Sequence, residues 1–482
     1  MSSTKTPATA PDAAPGADKA APVLAHVDAT LDAALARLMD LLRVPSISTD
    51  PAYAEECARA ADWLREDLAG MGFEAAIHAT PGHPMVLAHG PDTPESQDRP
   101  HVLFYGHYDV QPVDPLDLWA RDPFDPQVED TPAGKVIRGR GAADDKGQLM
   151  TFVEACRAWV AVHGALPVKV SLFFEGEEES GSPSLVPWMK DNAEKLRADL
   201  ALICDTGMFD PQTPGITTML RGLVGQEVTI TGPSKDLHSG MFGGAAMNPA
   251  RVLARALADL HDDQGRVTLA GFYDGVPELP QEILAQWDAL GFDHTQFLGE
   301  VGLKHPAGEA GRSALEMIWS RPTCEINGMI SGYTGAGFKT VLPSRASAKV
   351  SFRLVGSQDP KAVAAAFQAH MRARVPADCT VEFKDHSSGP ASVMATEDPA
   401  FEAARLALSD EWPRPAAFIG CGGSIPIAGY FKTILGMDSM LIGFGRDDDQ
   451  IHSPNEKYDL ESFHKGIRSW VRILAALGQG KG

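Results

Sequence analysis

Four short runs in this chain, HVLFYG (101–106), VKVSLFFE (168–175), DLALIC (199–204) and SMLIGFG (439–445), are apolar almost from end to end. A strand with one wet face alternates polar and apolar residues, whereas a strand covered on both faces does not. Segments with helical spacing lie between and around these runs: GQLMTFVEACRAWVAVHG, SLVPWMKDNAEKL and ESFHKGIRSWVRILAALG. Two more precede them. LDAALARLMDLL places Leu31, Leu35, Leu38 and Leu42 on one side, and CARAADWLREDLAGMGF closes on a glycine. Alternating elements of these two kinds confine the chain to a mostly parallel sheet layered with helices, an α/β fold.

The texture changes after Asp205. QEVTITG and ASAKVSFRLVG (346–356) alternate as half-exposed strands do, CTVEFKDH reads as another strand, and NPARVLARALADLHDD and PKAVAAAFQAHMRARV read as amphipathic helices. This mixture predicts an α+β unit with an antiparallel sheet. At 482 residues the chain is too long for one core. The expected layout is a parallel-sheet domain over 25–217 and 391–482, interrupted by a smaller domain over 218–390. Structure is expected to begin near Val23, and the Ala/Pro/Thr-biased residues 1–24 read as a disordered tail.

The formal net charge of −22 argues against nucleic acid or an anionic membrane surface as partner. No apolar stretch approaches the roughly 18–20 residues of a membrane span. The N-terminus lacks the apolar core of a signal peptide. Six cysteines are scattered without a CxxC pair, so neither a disulfide framework nor a thiolate metal site is expected, and a reducing cytoplasm is the simple reading.

In open α/β sheets chemistry gathers beyond the carboxyl ends of the strands. Here HVLFYG runs into His107-Tyr108-Asp109, VKVSLFFE into Glu177-Glu178-Glu179, DLALIC into Asp205, and SMLIGFG into RDDDQIHSPNE with His452. A fifth acidic element, GRGAADDKG (139–147), stands just before a helix. Each has an ordinary reading alone: a surface His–Asp pair, a solvated turn, a helix cap. Together they bring imidazoles and carboxylates to one sheet edge, and these are the ligands that divalent cations take.

These residues resemble the co-catalytic zinc metallopeptidase family of cytosolic and carnosine dipeptidases, acetylornithine deacetylase and succinyl-diaminopimelate desuccinylase. The resemblance runs from about residue 30 through HYDVQP (107–112), GRGAADDKGQL (139–149), EGEEESGS (175–182), KDLHSGMFGG (235–244), RPTCEINGMISGYTGAGFKTVLP (321–343), SFRLV (351–355), GGSIP (422–426) and IHSPNE (451–456). HYDVQP, KDLHSG and the long 321–343 motif point to the dipeptidase branch. The resemblance implies a zinc-peptidase catalytic domain with an inserted lid or dimerisation domain, and a homodimer formed through that lid. It implies two divalent metal ions, most naturally zinc, although manganese and cobalt suit the same ligands. One would be bound by His107, Asp144 and Asp205, the other by Glu179, His452 and the same Asp144. Asp109 would hold His107 in its metal-binding tautomer, and the Asp144–Asp145 peptide would be cis. A metal-bound hydroxide would attack the peptide carbonyl with Glu178 as general base.

On the inserted domain the resemblance implies that His238, from the partner subunit, donates to the oxyanion with Thr340 nearby. Arg353 would clamp the terminal carboxylate of a dipeptide or short peptide, helped by Ser424 and the exposed backbone at Gly422 and Gly423. Without the resemblance, a mid-strand arginine is more often a snorkelling surface residue and His238 a turn former. The sequence departs from the family where a charged Arg-Glu-type pair usually precedes GGSIP, since Gly420 and Cys421 stand there, and where the usual glycine-rich stretch is HSSGPAS from His386. Both departures bear on side-chain preference. Three rivals stand beside the dipeptidase: an N-acyl-amino-acid deacylase of the same family, a non-catalytic scaffold, and a carboxylate-pair glycosidase, which would leave His107 and His452 without a task.

Overall fold

The computed structural model describes residues 17–91, 93, 96 and 98–479, except for the side chains of Ala17 and Ser387. The described residues divide into two compact units: one within 17–217, 394–418 and 430–479, the other of 218–393 and 419–429.

The first unit is built on a sheet whose centre is four parallel strands, Lys169–Glu175, His101–His107, Leu200–Ile203 and Ser439–Leu441, in that spatial order. Antiparallel strands Met85–His89 and Glu74–His78 extend one side, and Gly215–Leu220 joins at the other through Thr217 opposite Leu441. The four parallel strands fall within the four largely apolar runs, and they are buried along nearly their whole length. Helices Lys146–His163 and Leu460–Leu477 bury one face of the sheet. Phe104 stacks on Phe152 at 4.0 Å between ring centroids, and Trp470 stands edge-on to both.

Within this unit two expectations need correction. Residues 17–24 are not tail: they form the start of a helix, Ala17–Leu42, in which Ala20, Val23, Leu24 and Val27 are buried. Alanine favours helix, and the helix runs on through Pro22, its sixth residue, at the loss of one i→i−4 hydrogen bond. The remainder of the expected tail, 1–16, falls outside the described residues. The segment SLVPWMKDNAEKL is two short helices, Leu185–Asp191 and Ala193–Leu196, broken at Asn192, whose side chain donates to the Trp188 carbonyl.

The second unit is a four-stranded antiparallel sheet in the order Thr323–Ser331, Arg345–Leu354, Gly222–Thr231, Thr380–Gly389. Strand Arg345–Leu354 alternates cleanly, burying Ala346, Ala348, Val350, Phe352 and Leu354 against Val252, Leu253 and Ala256 of helix Pro249–Ala258 and Phe367 of helix Pro360–Arg374. Arg353 is on the opposite face of its strand. Residues 419–429, expected in the first domain, group with the second unit. The cause is local: the Arg221 N–H donates to the Gly423 carbonyl at 3.1 Å, its Nε donates to the Gly422 carbonyl at 3.0 Å, and the Ser424 hydroxyl donates to the Arg221 carbonyl.

Candidate metal centre

The four parallel strands point the same way, so their carboxyl ends share one edge of the sheet. His107 is the last residue of its strand, Glu178 and Glu179 lie on a short 3-10 turn just past another, and Asp205 follows Ile203 by two residues. His452 sits on the loop after Ser439–Leu441, held at φ 59°, a conformation that a non-glycine residue seldom adopts. Asp144 and Asp145 precede helix Lys146–His163, and the peptide between them is cis.

Side chains of these segments meet at Asp144. Its Oδ1 lies 3.2 Å from His107 Nε2, and its Oδ2 lies 2.9 Å from His452 Nε2. Two groups of ligand atoms, each within 4.8 Å of one another, result: His107, Asp144 and Asp205, and Asp144, Glu179 and His452. Glu179 Oε2 is 3.3 Å from His452 Nε2 and accepts from Gln111 Nε2 at 2.6 Å. A third acidic group, Asp448, Asp449 and Asp459, is already served by a cation, because Lys457 Nζ donates to all three at 2.7–2.8 Å.

Asp109 reaches three of the participants. Its Oδ1 is 3.4 Å, and its backbone oxygen 3.1 Å, from His107 Nδ1, the nitrogen turned away from Asp144. The same carboxylate accepts the backbone N–H groups of Glu178 at 3.2 Å and Glu179 at 3.0 Å. It therefore ties the histidine strand to the glutamate turn.

The electrostatics fit bound cations. Burial, and next the charge of Asp144, push the Asp205 carboxyl well above its ordinary range. Burial pushes Glu178 up to about 7, with His107 opposing and Glu179, Asp109 and Asp144 adding to the rise. Burial would also raise Asp144, but hydrogen bonds from His107 and His452 hold it below the usual carboxylate range. Those bonds, with Glu179, draw His452 up to about 10. Four carboxylates thus crowd around two imidazoles. Three of them with both imidazoles form a nitrogen–oxygen donor set suited to a pair of divalent ions, which would relieve the repulsion.

Several residues of the centre were given no role by the sequence. Glu456, fully buried, accepts the backbone N–H groups of Gly141, Ala143 and Asp144 at 3.0, 2.9 and 3.1 Å and pairs with Arg140 Nη1 at 2.7 Å. It fixes the loop that carries Asp144. The Asp145 carboxylate accepts the His107 N–H at 3.1 Å, and Glu175 accepts from Tyr105 and Ser182, each at 2.7 Å. Only their place inside the quoted motifs hinted at them.

The other expected site residues lie in the second unit as two local groups. His238, on the two-residue strand Leu237–His238, pairs opposite Val341, and the neighbouring Ser239 N–H donates to the Thr340 carbonyl at 3.1 Å. The Nδ1 of His238 accepts the Gly240 N–H at 3.1 Å. Separately, Arg353 Nη1 donates to Ser424 Oγ at 3.3 Å, beside Gly423.

Residues 103–476 match the pattern of peptidase family M20/M25/M40. The Cys-Gly metallodipeptidase dug1 of Schizosaccharomyces pombe is 30% identical over 469 residues, covering 94% of this chain and 97% of that protein. The human Beta-Ala-His dipeptidase is 28% identical over 482 residues, covering 95% of this chain and 92% of its own. Among solved structures, the M20 family metallo-carboxypeptidase Sso-CP2 from Sulfolobus solfataricus matches with a TM-score of 0.78 at 31% identity, over 92% of this chain and 99% of that one.

Proposed function

The chain belongs to peptidase family M20/M25/M40, and from that premise we propose that it hydrolyses the peptide bond of dipeptides or short peptides with a free C-terminal carboxylate, using two divalent metal ions. The observation that carries this reading is the carboxylate of Asp144, which offers one oxygen to each of two donor groups. His107 and Asp205 would complete one ion's ligands, and Glu179 and His452 the other's, with zinc the natural occupant. Ions held there supply Lewis acidity toward the scissile carbonyl and lower the pKa of a water.

The chain's own groups do the rest. Glu178, next to a ligand yet outside both donor groups, takes the proton of the attacking water and returns it to the leaving amine. Asp109 fixes the orientation of His107 through Nδ1, leaving Nε2 for the ion. Arg353, with Ser424 beside it, receives the terminal carboxylate, and its planar fork suits two parallel hydrogen bonds. His238, exposed and next to Ser239, whose N–H bonds the Thr340 carbonyl, donates to the oxyanion from a second copy of the chain. A homodimer through the second unit is supported by its edge strand Thr323–Ser331, where Ile326, Met329 and Ile330 are exposed.

No helix among the described residues is long and apolar enough to cross a membrane. All six cysteines are free, which supports a reducing compartment such as the cytoplasm. The deacylase alternative is not favoured, since the relatives named above are dipeptidases and a carboxypeptidase. Metal analysis combined with a substrate panel tests the proposal. Two equivalents of bound metal and chelator-sensitive cleavage of dipeptides are expected, and turnover confined to acetyl- and succinyl-amino acids would overturn it.

A further inference from the structure

Within the second unit a cavity of about 460 Å³ is lined in part by Arg221, Arg321, Arg353, Glu325 and Met317. Its three arginines are treated differently by the fold. Arg321 is neutralised, with Nη2 2.9 Å from Glu309 and Nη1 3.4 Å from Glu278. Arg353 donates from Nη1 to the Ser424 hydroxyl at 3.3 Å, its one side-chain hydrogen bond among the described residues. Arg221 donates from Nε to the Gly422 carbonyl at 3.0 Å and from Nη1 to the Met317 carbonyl at 3.5 Å. Neither Arg221 nor Arg353 forms an ion pair among the described residues. Glu325 lines the same cavity but is exposed and pairs with neither.

Two half-buried guanidiniums facing one cavity repel each other, and among the described residues no carboxylate lies within ion-pairing distance of either, Glu325 acting on Arg221 only from farther off. Burial, and next the charge of Arg353, pull Arg221 down to about 10. The Nη2 of Arg221 has no partner among the described residues. A Cβ at Gly422 would come within 3.0 Å of it, so glycine leaves that nitrogen uncovered. Position 421, next to the Gly422-Gly423 turn, is a cysteine whose Sγ accepts the Gly423 N–H at 3.3 Å.

We propose that Arg221 determines specificity: while Arg353 receives the terminal carboxylate, Arg221 receives a second one, so the preferred substrates are dipeptides ending in aspartate or glutamate. This rests on the dipeptidase reading. A guanidinium fork matches a carboxylate in charge and shape, and a neutral amide of the same size leaves the fork unsatisfied.

The test uses metal-replete protein and two isosteric substrate pairs, Ala-Glu against Ala-Gln and Ala-Asp against Ala-Asn. The expected kcat/KM ratio favours the acid by about tenfold or more. Arg221→Gln should bring that ratio to about one, and Arg221→Lys, which keeps the charge but not the fork, should retain part of it. Cys421→Glu, which supplies a carboxylate beside an intact Arg221, should also collapse the ratio, and it decides alone if the Arg221 variants fail to fold. A ratio near one in the parent protein, or a preference that survives these substitutions, overturns the inference while cleavage of Ala-Gln leaves the dipeptidase reading standing. No turnover of any dipeptide overturns both.

Discussion

Glu177, Glu178 and Glu179 are neighbours in sequence but face different partners. Glu177 is buried and structural: it accepts the backbone N–H groups of His83 and Ser184, each at 2.9 Å. Glu179 joins His452 and Gln111. Glu178 belongs to neither donor group, although burial lifts its carboxyl toward neutrality. Glu178→Gln should therefore keep both metals while kcat falls about 10²–10⁴-fold, the usual scale for loss of a general base. Metal content measured alongside turnover checks this, and near-normal activity would remove Glu178 from the role. Glu456→Gln tests a residue that touches no expected ligand side chain. It weakens the anchor of the 141–144 loop, so metal affinity should drop about 10–100-fold, as for other residues that orient ligands. Competition against a chelating dye gives that number.

At the scale of elements, direction matters more than composition. Because Lys169–Glu175, His101–His107, Leu200–Ile203 and Ser439–Leu441 are parallel, residues up to 345 positions apart in sequence, His107 and His452, arrive at one edge. The helix that follows Asp144–Asp145 is packed too tightly for a larger residue at its start: a Cβ on Gly147 would lie 1.8 Å from the Ala142 carbonyl oxygen. Gly147→Ala should destabilise the protein by about 1–3 kcal/mol, the cost of forcing atoms into a filled site, measurable by denaturant unfolding. The edge strand Thr323–Ser331 raises a different matter. Ile330 is 70% exposed on it, near exposed Ile326 and Met329, and an apolar edge strand of this kind is a surface on which another chain can pair. Ile330→Glu should convert a dimer into monomers in sedimentation velocity, and a parent protein that sediments as a monomer would end the dimer proposal.

For the whole molecule, all five expected metal ligands belong to the first unit, whereas Arg353, Ser424, Thr340 and His238 belong to the second. Chelation should therefore speed amide exchange in 101–109, 139–147 and 175–184 and leave 222–231 and 345–354 unchanged, because ligand binding stabilises only what it contacts. Exchange mass spectrometry with and without chelator decides it. Much of this organisation was legible beforehand, because burial on both faces writes uninterrupted apolar runs and half-exposure writes alternation, as in Arg345–Leu354. The ends of those runs also marked His107, Glu178, Glu179, Asp205 and His452. What only the tertiary structure decided was who meets whom. The contacts His107 and His452 make with the two oxygens of Asp144, the anchoring of its loop by Glu456, the structural task of Glu177 and the lack of an ion pair at Arg221 among the described residues each depend on how distant segments pack. Local periodicity reports which face of a segment is covered, but it holds no record of the partner that covers it.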